Sequence, residues 1–175
     1  MTHQLASGTL PWTKSCFVCG QDNPRGLRLK SRVENGKVML DYTPRESDLG
    51  WKSLVHGGLA ATLLDEVMTW TAIIATRNPC VAAEITVRFK RPIAVGRPIR
   101  AEAQPVEVKS RMVLASSTLT DDQGRVVASA TGKYMPMNKE DISLCSGDFI
   151  TDAKTIGLDR LMDAQLLRSS GSTPT

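Results

Sequence analysis

The chain has 175 residues, of which 41% are apolar and 23% charged, a composition that is ordinary for one soluble domain with tails. Lys and Arg outnumber Asp and Glu by 22 to 18, without the dense basic blocks of a nucleic-acid-binding tail. Four irregularly spaced cysteines, Cys16, Cys19, Cys80 and Cys145, exclude a disulfide scaffold, so we expect a reduced, cytoplasmic protein.

The N-terminal part of the chain is predicted to hold a leader and two short strands. Residues 1–15 are expected to form a loose leader, and they have neither the basic start nor the apolar run of a secretory signal. Apolar and polar residues alternate from Val38 to Thr43, and Glu34-Asn35-Gly36 provides a turn before them, which predicts two strands between Gly26 and Thr43. A loop rich in Ser, Asp and Gly follows to Val55.

A long apolar helix is predicted next, beginning at His56-Gly57-Gly58 and ending near Asn78-Pro79. In the stretch 59–76, only Asp65 and Glu66 are charged. Each of these carboxylates would cost about 2.5–3.5 kcal/mol at the centre of a bilayer, which argues against a membrane span. A helix that is apolar on nearly every side must instead be surrounded by protein.

After the helix the hydrophobic period changes from 3.6 to 2, which predicts strands. The apolar face of the first strand is expected to hold Val81, Ala83, Ile85, Val87 and Phe89. Further strands are predicted at 99–108, 112–119 and 125–135. One enclosed helix and one antiparallel meander have an economical arrangement in which the sheet curls around the helix, so the predicted fold class is α+β.

The composition shifts again near the C-terminus. We expect residues 16–137 to form the folded domain and residues 138–175 to form an extension that is partly helical or disordered. A short amphipathic helix is predicted within it, at 156–167.

The helix start and the two carboxylates are candidates for chemistry. Unpaired amides at a helix N-terminus, accessible beside Gly57-Gly58, suit an oxyanion or a polarised carbonyl, although the glycines could equally serve only a tight turn. Asp65 and Glu66 point about 100° apart, so we expect one in a cleft and the other at a rim or against a basic partner. A buried carboxylate suits a general base or nucleophile, and an ion pair with Arg88 or Arg91 is the structural alternative.

The spacing between these groups predicts an oligomer. Gly57 and Asp65 are separated by about 12 Å along one helix, so a single carbonyl cannot contact both. An antiparallel pair of helices would bring Gly57 of one copy toward Asp65 of the other. The sequence therefore predicts a two-fold homodimer with two composite sites.

Several motifs together resemble a known family. They are Cys16-Phe17-Val18-Cys19-Gly20, Asn23-Pro24, Gly26-Leu27, His56-Gly57-Gly58, Leu63-Leu64-Asp65-Glu66 and Ala83 to Pro92. From Cys16 to Met135 the chain resembles the hotdog-fold acyl-CoA thioesterases of the phenylacetic-acid-degradation type. The resemblance implies a sheet wrapped around one long helix, protomers joined sheet edge to sheet edge, dimers that often pair again, and hydrolysis of an acyl-CoA thioester without a metal or other cofactor.

The resemblance also implies roles for individual residues. Asp65 matches the catalytic acid, which activates water or attacks the carbonyl. The amides of Gly57-Gly58 match those that polarise the thioester oxygen, and His56 matches a histidine that shapes the loop. Two positions depart from the family pattern: Asp48 stands where many relatives have an amide or a histidine, and Ala82 stands where many have a hydroxyl that holds the attacking water.

Binding of the two ends of the substrate calls for different residues. The CoA phosphates need cations at a cleft entrance, and the acyl group needs an apolar pocket near Asp65. The candidates are Lys90, Arg91, Lys109 and Arg111 for the phosphates, and Trp51, Met68, Thr69 and Ala72 for the acyl group. Asp48, Glu66 and Ala82 are further candidates for contact with the substrate. Solvated strand ends and core packing are the respective structural alternatives.

Other functions are weaker hypotheses. Cys16 and Cys19 form a C-x-x-C pair, but no two further ligands stand at zinc-binding spacing, so no metal site is expected. Because Ala82 has no hydroxyl to hold the attacking water, a non-catalytic acyl-CoA-binding module is an alternative to the thioesterase. A hotdog dehydratase is a third reading, which the position of His56 in the glycine motif disfavours. No nucleic-acid or membrane partner is expected.

Overall fold

The structure is a computed structural model of the chain that describes residues 7–163, without the side chains of residues 139 and 144–146. Its helices are α1 (Gly57–Thr76), α2 (Lys139–Cys145) and α3 (Leu158–Leu161), with 3-10 turns at Glu46–Asp48 and Ser146–Asp148. Its strands are β1 (Gly8–Thr9), β2 (Trp12–Thr13), β3 (Arg32–Glu34), β4 (Lys37–Tyr42), β5 (Leu49–Trp51), β6 (Leu54–Val55), β7 (Cys80–Phe89), β8 (Ile99–Lys109), β9 (Met112–Asp121), β10 (Val126–Pro136) and β11 (Phe149–Ile150).

One large sheet surrounds the central helix. Seven strands form it in the order β1-β3-β4-β8-β9-β10-β7, and every neighbouring pair is antiparallel. Helix α1 packs against β4, β7, β8, β9 and β10, so the sheet curves around it. This confirms the predicted α+β architecture of one long helix wrapped by an antiparallel meander.

Helix α1 supplies the centre of the core. Its buried residues are Ala60, Leu63, Leu64, Val67, Met68, Trp70, Thr71, Ala72 and Ile73. By length and composition alone the helix could cross a membrane, but here this apolar surface is covered by the sheet. The helix ends at Thr76, and Arg77 follows in the left-handed conformation with a φ of 56°.

Strand β7 forms one edge of the sheet and contains an irregularity that the sequence pattern did not predict. Its pairing with β10 shifts register between Lys133 and Tyr134, opposite Ala82–Glu84. The shift reverses which side chains face inward along β7. Cys80 is therefore buried and Val81 is 50% exposed, whereas Ile85 packs against the core. The expected inward positions of Val81 and Ala83 were wrong for this reason, Ala83 being the residue without a pairing partner at the shift. The expected inward position of Phe89 was also wrong, since its side chain is 57% exposed at the end of the strand.

The two ends of the described chain pack together. The prediction of a loose leader through residue 15 is corrected from Gly8 onward, because β1 pairs with β3 and Leu10 is fully buried. Strand β2 pairs with β11, and Leu161 is buried near the C-terminal end. Within the described residues, the helix predicted at 156–167 is only the four residues of α3. Residues 1–6 and the predicted tail beyond 163 lie outside the described residues.

Candidate active site

The first turn of α1 presents one amide without a partner. His56 caps the helix, since its Nδ1 accepts a hydrogen bond from the Gly58 amide at 2.9 Å. The His56 amide donates to the Asp48 carbonyl at 2.9 Å, and the Leu59 amide donates to the His56 carbonyl at 3.0 Å. Across residues 7–163, the Gly57 N–H has no acceptor. Gly57 is thus the one amide of this turn that can donate to a ligand, and Gly58 is already bonded.

Asp65 lies eight residues further along α1 with one oxygen anchored. Its Oδ1 accepts a hydrogen bond from the Tyr134 hydroxyl at 2.8 Å and a longer one from Thr69 Oγ1 at 3.4 Å. Burial raises the pKa of the Asp65 carboxyl above its usual range, and these two hydrogen bonds partly offset that rise. The described residues offer no hydrogen-bond partner to Oδ2, so this oxygen can accept a proton from a ligand.

Tyr134 is a residue that sequence reasoning missed. Its side chain is fully buried, at the register shift of β10. Gly132 makes room for it, because a Cβ at that position would lie 2.6 Å from the Tyr134 ring. The available signal was chemical: a tyrosine in a buried strand needs a partner for its hydroxyl, and Asp65 is a buried carboxylate that needs a donor.

Glu66 points away from Asp65, as their spacing on the helix predicts. The Trp70 indole donates to its Oε1 at 3.1 Å, and its carboxylate lies beside the thiols of Cys16 and Cys19. Burial raises the pKa of the Glu66 carboxyl to about 8, with a further contribution from the nearby Cys16. This places Glu66 against the N-terminal segment rather than at the cleft rim where it was expected. Within the described part of the chain, neither carboxylate makes the ion pair with Arg88 or Arg91 that was the structural alternative.

Asp48 has a structural role instead of facing a ligand. Its Oδ2 accepts a short hydrogen bond from the Tyr42 hydroxyl and a 2.7 Å bond from the Arg45 amide, and its side chain is largely buried. Its carbonyl holds the His56 amide. Asp48 therefore fixes the loop that leads into α1, which contrasts with the substrate contact expected for it.

The candidates for acyl binding lie in different environments. Met68 and Ala72 are fully buried in the core, whereas Thr69 is half-buried and bonded to Asp65. Trp51 is 84% exposed, on the hairpin of β5 and β6. Ala82 is exposed on edge strand β7, opposite Tyr134. Of these candidates only Trp51 and Ala82 are exposed, Trp51 on the β5–β6 hairpin and Ala82 at the edge of the large sheet.

The four candidate cations do not gather within one protomer. Lys90 and Arg91 follow the C-terminal end of β7, where both amides donate to the Val127 carbonyl. Lys109 and Arg111 lie at the β8–β9 turn, and the register of the sheet places this turn at the end where β7 begins. The two pairs therefore occupy opposite ends of the sheet.

Comparisons with known proteins agree with this architecture. A family model described as "Thioesterase superfamily" matches residues 53–128. Human acyl-coenzyme A thioesterase 13 is 26% identical over 105 residues, which is 59% of this chain and 70% of that protein.

Two solved structures share the fold. The Escherichia coli PaaI protein from the phenylacetic acid degradation operon is 24% identical with a TM-score of 0.57, covering 63% of this chain and 78% of that one. A Streptococcus mutans protein bound to acetyl CoA is 20% identical with a TM-score of 0.56, covering 60% and 84%. The predicted fold is confirmed.

Proposed function

We propose that this chain, whose fold is that of the hotdog thioesterases, is a thioester hydrolase that hydrolyses an acyl-CoA in a cleft shared by two protomers. The arrangement of Asp65 is the single observation that carries the proposal: a half-buried carboxylate with one oxygen anchored and the other available. The ligand class is supported by the human relative, which is an acyl-CoA thioesterase, and by the neighbour solved with acetyl CoA.

Asp65 acts as a general base in this proposal. Tyr134 and Thr69 hold Oδ1, so Oδ2 binds a water molecule and takes its proton as the water oxygen attacks the thioester carbonyl. The carbonyl π electrons move to oxygen, where the Gly57 amide of the other protomer donates a hydrogen bond. The oxyanion then collapses, the C–S bond breaks, and the proton on Asp65 passes to the departing CoA thiolate.

The sheet edge explains why two protomers are needed. Strand β7 is ten residues long and unpaired along its outer side within the described residues. Gly57 lies at the end of β7, since a Cβ there would be 3.4 Å from the Phe89 ring, while Asp65 lies near Ala82 through Tyr134. An antiparallel β7 pair centred between Ile85 and Thr86 sets Phe89 opposite the partner's Ala82. This register brings Gly57 of one protomer toward Asp65 of the other.

The same pairing assembles the cations. When β7 strands run antiparallel, the end that carries Lys90 and Arg91 meets the partner's β8–β9 turn, which carries Lys109 and Arg111. Four basic side chains at one entrance suit the phosphates of CoA. Exposed apolar residues along this side are available for burial in the dimer; they include Val81, Phe89, Val106, Val108 and Met135.

A hydrolysis assay tests the proposal. The purified chain is incubated with aliphatic and aryl CoA esters, and release of the CoA thiol is followed for the wild type and for Asp65→Asn. We expect hydrolysis of at least one ester and a loss of about 10²-fold or more in Asp65→Asn, in line with the removal of a general base. Tight acyl-CoA binding without hydrolysis of any ester would instead assign the non-catalytic binding function. That alternative is motivated by Ala82, which has no hydroxyl to hold the attacking water.

A further inference from the structure

The structure brings together three metal-ligating side chains that are distant in the sequence. Cys16 and Cys19 lie in the N-terminal segment and Glu66 lies on α1, yet their two Sγ atoms and a carboxylate oxygen all fall within 4.8 Å of one another. Cys19 is buried and the other two are half-buried. The sequence alone showed only the C-x-x-C pair and lacked further ligands at a recognisable spacing, which is why a metal site was not expected there.

Hydrogen bonds within the C-x-x-C segment hold its backbone, and its two sulfur atoms lie within 4.8 Å of each other. The Gly20 amide donates to the Cys16 carbonyl at 2.9 Å, and the Val18 amide donates to Cys16 Sγ at 3.3 Å. Position 20 must be glycine, because a Cβ there would lie 2.3 Å from the Cys16 carbonyl oxygen. A backbone amide that donates to a cysteine sulfur stabilises negative charge on it, as a metal-bound thiolate requires.

The Glu66 carboxylate is also oriented by a hydrogen bond. Glu66 lies on the long central helix, and the Trp70 indole one turn later donates to its Oε1 at 3.1 Å. Hydrogen bonds of this kind orient the ligating carboxylates of metal sites. Thr13 Oγ1 lies 3.7 Å from Cys19 Sγ and accepts a hydrogen bond from the Cys16 amide at 3.1 Å, so it supports the sulfur side of the cluster.

We propose that Cys16, Cys19 and Glu66 bind a zinc ion, with water as the fourth ligand. A tetrahedral zinc with bonds of about 2.3 Å to sulfur and 2.0–2.2 Å to oxygen spaces its ligand atoms about 3.5–3.8 Å apart. The cluster therefore needs to contract by about 1 Å, which side-chain rotation can supply. Two thiolates and a carboxylate suit zinc better than Mg²⁺ or Ca²⁺, which prefer oxygen ligands alone.

Such an ion would join the N-terminal segment to α1. It would link residues 16–19 to the position next to Asp65, on the side of the helix that faces away from the cleft. The site does not include Asp65 or Gly57, so the inference does not depend on the proposed hydrolysis.

Cobalt binding tests the site directly. Reduced, metal-free protein is titrated with Co²⁺, which reports thiolate ligands through a near-ultraviolet charge-transfer band and tetrahedral geometry through its visible bands. We expect both bands to saturate at one Co²⁺ per chain and to disappear on addition of Zn²⁺. We also expect Zn²⁺ to raise the unfolding temperature of the wild type, since it binds only the folded chain.

Matched variants separate this site from adventitious binding. Cys16→Ser and Cys19→Ser should each remove the charge-transfer band, and Glu66→Gln should weaken Co²⁺ binding by at least about tenfold. Cys80→Ser, at another buried cysteine, should leave the spectrum unchanged. Far-ultraviolet circular dichroism shows that each variant is folded.

The proposal is overturned if the reduced wild type shows no charge-transfer band, or if the band survives in either folded Cys16 or Cys19 variant. A protein that forms only a Cys16–Cys19 disulfide and binds no Co²⁺ after reduction would also overturn it.

Discussion

Tyr134 donates a hydrogen bond from its hydroxyl to Asp65 Oδ1 at 2.8 Å, which joins the sheet to the central helix at the carboxylate that the mechanism needs. Burial and the neighbouring Asp65 charge raise the pKa of Tyr134, so the hydroxyl stays protonated and remains a donor. The bond fixes one carboxylate oxygen and leaves the other for water. Tyr134 is therefore a positioning residue for the base.

The Tyr134→Phe variant should shift the pH dependence of the reaction. The hydrogen bond lowers the pKa of Asp65, so its loss raises that pKa, and Asp65 becomes a competent base only at higher pH. A hydrogen bond to a charged group contributes about 1.5–3 kcal/mol, so we expect the acid limb of the kcat/KM–pH profile to move to higher pH by about one to two units. Tyr42→Phe, which removes the buried hydroxyl bonded to Asp48, is the control and should leave the limb in place. If the acid limb of the kcat/KM–pH profile of Tyr134→Phe lies at the wild-type pH, Tyr134 does not position the base.

A proline at position 57 should remove the oxyanion donor and leave the fold of the helix start unchanged. Proline is well accepted at the first position of a helix, and the extended conformation of His56 (φ −63°, ψ 132°) is compatible with a following proline. We expect Gly57→Pro to lower kcat by about 10²–10³-fold, as the loss of one such donor does. Gly57→Ala keeps the amide and places its Cβ 3.4 Å from the Phe89 ring, so its kcat should stay within about threefold of the wild type. Retention of kcat by the proline variant would remove Gly57 from the mechanism.

The basic residues at the sheet ends should affect only substrates that carry phosphates. Lys90→Ala and Arg111→Ala should each raise KM for an acyl-CoA by about two- to fivefold, in keeping with exposed charge pairs of up to about 1 kcal/mol. Neither should change KM for the N-acetylcysteamine thioester of the same acyl group, which has no phosphate. Lys37→Ala, whose amine pairs with Glu102 at 3.1 Å on another part of the sheet, is the control. Equal effects on both substrates would show that these cations do not contact CoA.

Single turnover in ¹⁸O-labelled water distinguishes a base from a nucleophile. A general base leaves the label only in the carboxylic acid product, because the water oxygen attacks the carbonyl directly. An anhydride intermediate transfers the label to the Asp65 side chain when water opens it by attack on the Asp65 carboxyl carbon, so label in Asp65 would contradict the general-base route. We expect no label in the peptide that contains Asp65 after one turnover, and mass spectrometry of the digested protein measures it.

The sequence predicted those parts of the fold that depend on local patterns. The run of apolar residues in α1 and the period-two strands after it fixed one enclosed helix within a meander, and the 100° step between Asp65 and Glu66 correctly separated their directions. Contacts that depend on chain register could not be predicted. Tyr134 reaches Asp65 across 69 residues and lies at the register shift between β10 and β7, for which the sequence gives no periodic signal.

The packing of the N-terminal segment is a second feature that the sequence did not predict. Leu10 is fully buried and Glu66 lies beside the C-x-x-C pair, although nothing in the composition of residues 7–20 indicates that this segment packs on the folded domain. Asp48 was expected to face a ligand because of its place before the glycine motif. Its bonds to Tyr42 and Arg45 use local loop geometry that sequence spacing does not reveal.

A mixed dimer tests the shared cleft most directly. Protomers carrying Asp65→Asn and Gly57→Pro are given different affinity tags, co-expressed, and purified as the doubly tagged heterodimer. If each site takes Asp65 from one protomer and Gly57 from the other, one of the two sites is intact, and we expect about half of the wild-type kcat per dimer. Each mutant homodimer should be nearly inactive. A heterodimer no more active than the two homodimers, or a protein that remains monomeric, would contradict a cleft built from two copies of the chain.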